Sequence, residues 1–265
     1  MFTRWLPTGC ILFSLLLVTL RLPGDEPADG KAPLNAMMRR VGQLKMTYAA
    51  DSGRARPELL TTPVLRCNDP TRDEQDGAVW LWTEDKRPVA ALCVLLYASG
   101  KWNYENIALC DEALLVTGRP SWSWEPQATK RQWTRLAEPV PATPRSRQSA
   151  MRAIARSLDA SETRRGEVFP LRLLERPIYH YSDEDQGILE GALFALSYGT
   201  NPELFAQIEA RTDKDGSRWQ IAFARLSAAE ITVKHGEKTL WQVEAKKADD
   251  PRAPYYGVNE LPSEE

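Results

Sequence analysis

A spacing of 114 residues recurs along this chain and limits what it can fold into. Pro63 matches Pro177, Asp69 matches Asp183, Gly77-Ala78 match Gly191-Ala192 and Pro88 matches Pro202, with no gap. These are five identities between residues 63 and 97, where average composition gives about two by chance. Val64/Ile178, Asp76/Glu190, Trp80/Phe194 and Trp82/Leu196 add similar pairs at the same offset. Beyond Tyr97 the offset grows by a few residues: Gly100 matches Gly216, Trp102 matches Trp219, Leu109 matches Leu226, and Trp122 pairs with Trp241. An internal match of this length predicts two similar structural units.

Each unit opens with a helical pattern. Met37, Val41, Leu44 and Tyr48 share one helical face, as do Met151, Ile154, Ala155 and Leu158. Thr143-Pro144 offers an N-cap followed by proline at the first helical position. Short strand-like runs follow. In the second unit they include Leu171–Leu174, Ile178–Tyr181, Ala192–Ser197, Leu204–Ala210 and Trp219–Leu226, with turn signals at Asp215-Gly216 and His235-Gly236. The expected fold is α+β: two similar units, each one helix plus an antiparallel β-meander, after an N-terminal signal or anchor. The boundaries are 1–24 for that segment, 25–34 for a flexible tether and 35–124 for the first unit. A Pro-rich linker (125–143), the second unit (144–247) and an acidic tail (248–265) follow.

Residues 1–4 carry a basic start, and an apolar run from Trp5 to Leu20 follows. This is the pattern of a secretory signal peptide. No Ala-x-Ala-type cleavage site follows it, and residues 5–20 would be a membrane anchor if uncleaved. Either way the protein is expected to be exported, periplasmic or in the cell envelope. The formal net charge is −2, which gives no global basic footprint for nucleic acid. Cys67, Cys93 and Cys110 would remain after cleavage, an odd number that argues against a disulfide framework.

The second unit contains Pro177-Ile178-Tyr179-His180-Tyr181, Gly191-Ala192-Leu193-Phe194-Ala195, Gly199-Thr200-Asn201-Pro202-Glu203 and Ile208-Glu209-Ala210-Arg211. With these motifs the chain resembles an uncharacterised family of exported proteins from planctomycete-type bacteria, over about residues 35–245. That family usually shows Asp-Pro-Glu and Tyr-Arg-Tyr, from which Asn201 and His180 depart. It has no assigned activity, so the resemblance implies export and a paired architecture and brings no catalytic residues.

Motifs for chemistry are sparse. No His-x-x-x-His, Cys-x-x-Cys, Gly-x-Ser-x-Gly or P-loop pattern occurs. His180 with Asp183, Glu184 and Asp185 reads as a solvated turn, and neither a metal nor a cofactor is expected. Glu84-Asp85 and Glu203/Glu209 are carboxylate pairs of the kind glycoside hydrolysis needs, but pairs are common in a chain with 36 acids. Tryptophan is the distinctive supply. Trp80/Trp82 and Trp122/Trp124 each share one strand face, where flat rings serve either a core or a binding surface. The basic stretch Lys130–Arg135 is a further contact candidate. The expected function is a non-catalytic envelope interaction module that contacts a protein or polymer, not nucleic acid. The alternatives are a glycan or small-molecule binder using a groove between the units, and an envelope hydrolase. Trp122, Trp124 and His180 are the candidate binding residues.

Overall fold

The structure is a computed structural model that describes residues 31–50, 53 and 55–261. The expected signal or anchor, 1–24, lies outside the described residues, as do 25–30 of the tether. Among the described residues no helix is long and apolar enough to cross a membrane.

The first half runs α1 (Lys31–Val41), β1 (Lys45–Tyr48), β2 (Glu58–Leu59), β3 (Leu65–Asp69), β4 (Glu74–Glu84), β5 (Arg87–Tyr97), β6 (Trp102–Ala108), β7 (Leu114–Arg119) and β8 (Trp122–Trp124). After β9 (Thr134–Arg135), the second half runs α2 (Pro144–Arg156), β10 (Leu158–Arg164), β11 (Glu167–Leu173), β12 (Tyr179–Asp183), β13 (Ile188–Tyr198), β14 (Asn201–Asp213), β15 (Gly216–Arg225), β16 (Glu230–His235) and β17 (Lys238–Val243). The last strand is β18 (Tyr255–Glu260). Strands pair antiparallel in three sheets: β1-β7-β8, β18-β6-β5-β4-β2 with β3 also on β4, and β17-β16-β10-β11-β13-β14-β15-β9 with β12 also on β13.

Strand bounds and irregularities fall 114 residues apart. β3 and β12 share the offset at both ends, and so do β4 and β13. Register shifts occur between Glu74 and Asp76 and between Trp82 and Thr83 in one hairpin. In the other they occur between Ile188 and Glu190 and between Leu196 and Ser197. Gly77 lies opposite Cys67, and Gly191 lies opposite Tyr181. A Cβ at Gly77 would overlap Leu95 and Cys67, and one at Gly191 would overlap the Tyr181 ring. Glycine at both positions lets the facing side chain lie across the strand.

The core has three apolar layers. Even-numbered residues of β4 and β5, among them Trp80, Trp82 and Leu92, pack with Met37 and Val41 of α1. Phe194 and Leu196 of β13 and Ile208 of β14 pack with Met151 and Ile154 of α2. The odd-numbered residues form the middle layer, where Leu81, Cys93 and Leu95 of the first half meet Leu193, Ala195 and Phe205 of the second. The central strands are thus buried on both faces.

These findings correct the expected fold class. The protein is mostly β: among the described residues 54% are strand and 11% helix, with a nearly closed, barrel-like sheet, and it is not an α+β pair of helix-plus-meander units. Each helical pattern stops early. α1 ends at Val41, before Leu44 and Tyr48, and α2 ends at Arg156, before Leu158; Tyr48 and Leu158 lie in β1 and β10. The N-cap at Thr143 forms as expected, its hydroxyl accepting from the Ser146 amide at 3.2 Å. The stretch 125–143 contributes β9 to the edge of the larger sheet. The stretch 248–265 is more than a tail, because β18 pairs with β6 and extends the first half's sheet.

Glu260 anchors that last strand. Its carboxylate accepts from Arg119 Nε at 2.9 Å and Nη2 at 2.6 Å, and from Arg40 at 3.0 Å. It also accepts from Ser121 at 2.7 Å, Tyr104 at 3.0 Å and the Trp122 indole at 3.1 Å. Burial pushes this carboxyl up, but the bonds from Arg119, Ser121 and Tyr104 outweigh that and hold it at about 2. A depressed carboxyl contributes stability that is present above its unfolded value and lost as pH falls through its folded value. Glu260→Gln is expected to destabilise the protein by about 2 kcal/mol at pH 7, in line with charge-assisted bonds to a buried group. The penalty should shrink between about pH 5 and 2. Chemical denaturation of both forms across that range checks this, and parallel pH profiles would contradict it.

Candidate functional site

At one margin of the middle layer the two halves part and leave a groove of about 310 Å³. Ile107 and Ala108 of β6 line one side, and Phe223 of β15 with Trp241 and Val243 of β17 line the other. The Phe223 and Trp241 rings lie 5.7 Å apart. Tyr255 of β18 closes one end. The two halves, the 125–143 stretch and the last strand all contribute to it.

The polar lining has one sign. Lys130, Arg131, Arg225, Lys246 and Lys247 border the groove, and no Asp or Glu does. Arg131 donates from its main-chain amide to Asp111 Oδ1 at 2.9 Å. Its Nη1 donates to the Leu109 carbonyl at 2.7 Å and to Gln207 Oε1 at 2.5 Å. Its Nη2 is buried without a partner. Arg225 donates to the backbone carbonyls of Ser227 at 2.6 Å and Glu244 at 2.9 Å, and to that of Ala229. Among the described residues, neither guanidinium has a carboxylate within ion-pairing distance.

Other partly buried arginines differ. Arg72 meets Glu203 at 2.6 Å, and Arg87 meets Glu209 at 2.9 Å. Burial acts to lower both, but the facing carboxylates carry them above the ordinary arginine value. Arg131 and Arg225 have no such direct partner: the more distant pull of Tyr181 and Glu209 on Arg131, and of Tyr255 on Arg225, only partly offsets burial, which leaves both below it. The groove therefore combines apolar walls with positive charge that no carboxylate of the described residues pairs directly. Such an arrangement suits a ligand with an apolar body and an anionic end.

The residues expected from the sequence lie elsewhere. Trp122 and Trp124 are core side chains. Their indoles donate to Glu260 and, at 2.9 Å, to the Ala253 carbonyl, and both rings join the layer under α1. The binding-surface reading of this pair is corrected: β8 turns both rings inward. His180 is exposed on β12 and borders a separate pocket with Arg152, Arg156 and Glu175. Burial holds its imidazole below the ordinary histidine value, against the pull of Glu190. The three candidates are not brought together.

No group of His, Cys, Asp and Glu able to hold a metal occurs among the described residues. Glu203 and Glu209 are buried, each ion-paired to an arginine from the first half, and Glu209 also accepts from the Tyr181 hydroxyl at 2.7 Å. Cys67, Cys93 and Cys110 are free thiols.

Arg131 fell within the basic stretch noted in the sequence, while Arg225 and Tyr255 did not stand out. A signal for Arg225 existed: at the growing offset it aligns with Ala108, so an arginine replaces a small apolar residue in an otherwise similar strand. Comparison of the chain with protein-family models, curated proteins and solved structures finds no match.

Cys110 also lines the groove, and burial and then the nearby Glu112 push its thiol up to about 12. Because the thiolate is the reactive form, Cys110 in the native protein is expected to alkylate with iodoacetamide at pH 8 at least about 100-fold more slowly than free cysteine. Peptide mass spectrometry over a time course measures this. Labelling of folded protein at the free-cysteine rate would contradict it.

Proposed function

We propose that this protein is a non-catalytic binding protein whose groove between the halves takes an amphipathic anion, an apolar chain ending in a carboxylate or phosphate. One observation carries the reading: among the described residues, Arg131 and Arg225 sit beside apolar walls with no carboxylate counter-ion in direct contact. An anionic headgroup supplies that counter-ion, and Lys130, Lys246 and Lys247 add an exposed basic rim. The apolar body removes Phe223, Trp241 and Val243 from water, which is the main source of affinity in sites of this kind.

We also propose that the chain arose by internal duplication, supported by the shared 114-residue offset of strands, register shifts and glycines. The resemblance to exported planctomycete-type proteins and the pattern of residues 1–24 support action in the cell envelope, where acyl chains with charged headgroups are abundant. The exposed large apolar side chains, Met38, Val168 and Leu261, lie on three separate segments and supply little for a protein-docking patch.

Titration with oleate and with oleyl alcohol, followed by tryptophan fluorescence and calorimetry, tests the reading. Oleate is expected to bind at least about tenfold more tightly, since a charge-assisted bond contributes about 1.5–3 kcal/mol and each 1.4 kcal/mol is a factor of ten. The exposed double variant K246E/K247E should weaken oleate several-fold and leave the alcohol unchanged. Equal affinities for the two probes, or no binding of either, would overturn it.

A further inference from the structure

A second cavity, of about 510 Å³, lies between the halves and has Tyr255 in common with the groove. Leu226, Ala228, Ala229 and Ala245 form part of its wall, and charged and polar side chains cluster on the rest. Glu74 of β4 and Glu105 of β6 come from the first half, and Asn201 and Glu203 of β14 and Arg164 of β10 come from the second. Glu203 is already served, by Arg72 at 2.6 Å and Arg164 at 3.1 Å. Arg72 is further held by Asp69 at 2.9 Å, and Arg164 by Glu162 at 2.7 Å. Glu105 accepts from the Tyr255 hydroxyl at 2.9 Å through one oxygen only.

What remains unsatisfied is all of one kind. Glu74 Oε2, Glu105 Oε2 and Asn201 Oδ1 are buried with no hydrogen-bond partner. Glu74 and Asn201 are each only 3% exposed. Native proteins leave few such atoms, and each calls for a donor. Charge points the same way. Asp69, Glu74, Glu105, Glu162 and Glu203 face Arg72 and Arg164, with the exposed Arg165 beyond them and Arg225 behind Tyr255 and the Ser227 and Ala229 carbonyls. With the carboxyls ionised the surplus is negative, and the open atoms are acceptors. No metal-holding group of His, Cys, Asp and Glu is present among the described residues, so an organic donor fits better than a bare ion.

We propose that this cavity is a second binding site, taking a compact organic cation whose primary ammonium group donates to Glu74, Glu105 and the Asn201 amide oxygen. An ammonium offers three donors on one charged atom, matching three acceptors from both halves. The site is independent of the amphiphile groove and does not rest on that reading.

Protonation gives the test its signature. Burial raises Glu74 to about 7 and Glu105 to about 8, with Asp69 and Glu203 adding to Glu74, and Glu203 and Glu74 adding to Glu105. Arg72 pulls both back, and the Tyr255 bond pulls Glu105 back. Tyr97, also on the wall, is itself pushed up to about 12 by burial and these two acids. The unoccupied cavity thus retains protons near neutrality. A bound cation favours the ionised carboxylates, so binding releases protons and tightens as pH rises.

Calorimetric titration of the protein with 1,4-diaminobutane at pH 6.0, 7.0 and 8.5, with the pH 7.0 titration run in both phosphate and HEPES, reads both effects. The expected result is at least tenfold tighter binding at pH 8.5, with proton release at pH 7 shown by the difference between buffers. Glu74→Gln and Glu105→Gln are near-isosteric, and each should weaken the diamine at least tenfold while leaving the near- and far-UV circular dichroism spectra unchanged. That control separates loss of the site from loss of the fold. No diamine binding to folded protein at pH 8.5, binding that ignores both variants, or displacement of the diamine by equimolar Ca²⁺ or Zn²⁺ would overturn the proposal.

Discussion

The middle apolar layer, where Leu81, Cys93 and Leu95 of one sheet meet Leu193, Ala195 and Phe205 of the other, governs the rest of this structure. Because each sheet also has a helix on its other side, β4, β5, β13 and β14 are buried on both faces and read as long apolar runs. Each large side chain buried there contributes about 1.5–3 kcal/mol. The layer also dictates where polarity can sit. Glu203, Gln207 and Glu209 lie on the β14 face that carries Phe205, and each is answered across the joint, by Arg72, Arg131 and Arg87 respectively. Such buried pairs add little net stability but penalise any slip in how the sheets are aligned.

Both cavities follow from that geometry. Where the apolar facing surfaces end, the sheets diverge, and the space is walled by whatever side chains the margins supply. One margin supplies Phe223, Trp241 and two arginines without carboxylates; the other supplies Glu74, Glu105 and Asn201. Tyr255 stands in both walls, its ring against the groove arginine Arg225 at 5.9 Å and its hydroxyl on Glu105. The same hydroxyl lies 3.1 Å from the Leu226 carbonyl, so its one proton is shared between that oxygen and Glu105, which fixes the ring between the two spaces.

Much of the strand layout was legible in the sequence, because apolar alternation and Asp-Gly or His-Gly turns mark hairpins whatever the tertiary context. The N-cap at Thr143 was legible for the same local reason. The balance of helix and strand was not. Leu44, Tyr48 and Leu158 sit at helical spacing from the residues before them, and nothing local says that the chain turns into β1 or β10 instead. Tyr255–Glu260 follows a Pro-rich stretch and carries its own strand signal in only six residues; its partner β6 lies some 150 positions earlier. The site was hidden differently. Its carrying fact is that, among the described residues, no carboxylate pairs directly with the Arg131 or Arg225 guanidinium, and an absence in space has no pattern in sequence. Trp122 and Trp124 drew notice by residue type, yet only the direction of β8 decides that they face inward. Positions where one half departs from the other are the better guide: Val89, Cys93 and Leu95 in one half answer to Glu203, Gln207 and Glu209 in the other, and these mark the polar joint.

The pairing of β18 with β6 has a bearing on how the chain reaches this state. The first half's sheet is finished by the last residues described, and Arg119 waits for a carboxylate 141 positions further on. Until that strand arrives, β6 is an open edge with unpaired backbone groups, and Arg40 over the Trp102 ring and Arg119 over the Tyr104 ring lack the carboxylate that pairs with both. The nascent N-terminal half therefore has no complete resting form of its own, and closure is a late, long-range event of the kind that slows folding. Synthesis order and folding order run opposite at this seam: a segment made after the whole second half is the one that completes the first.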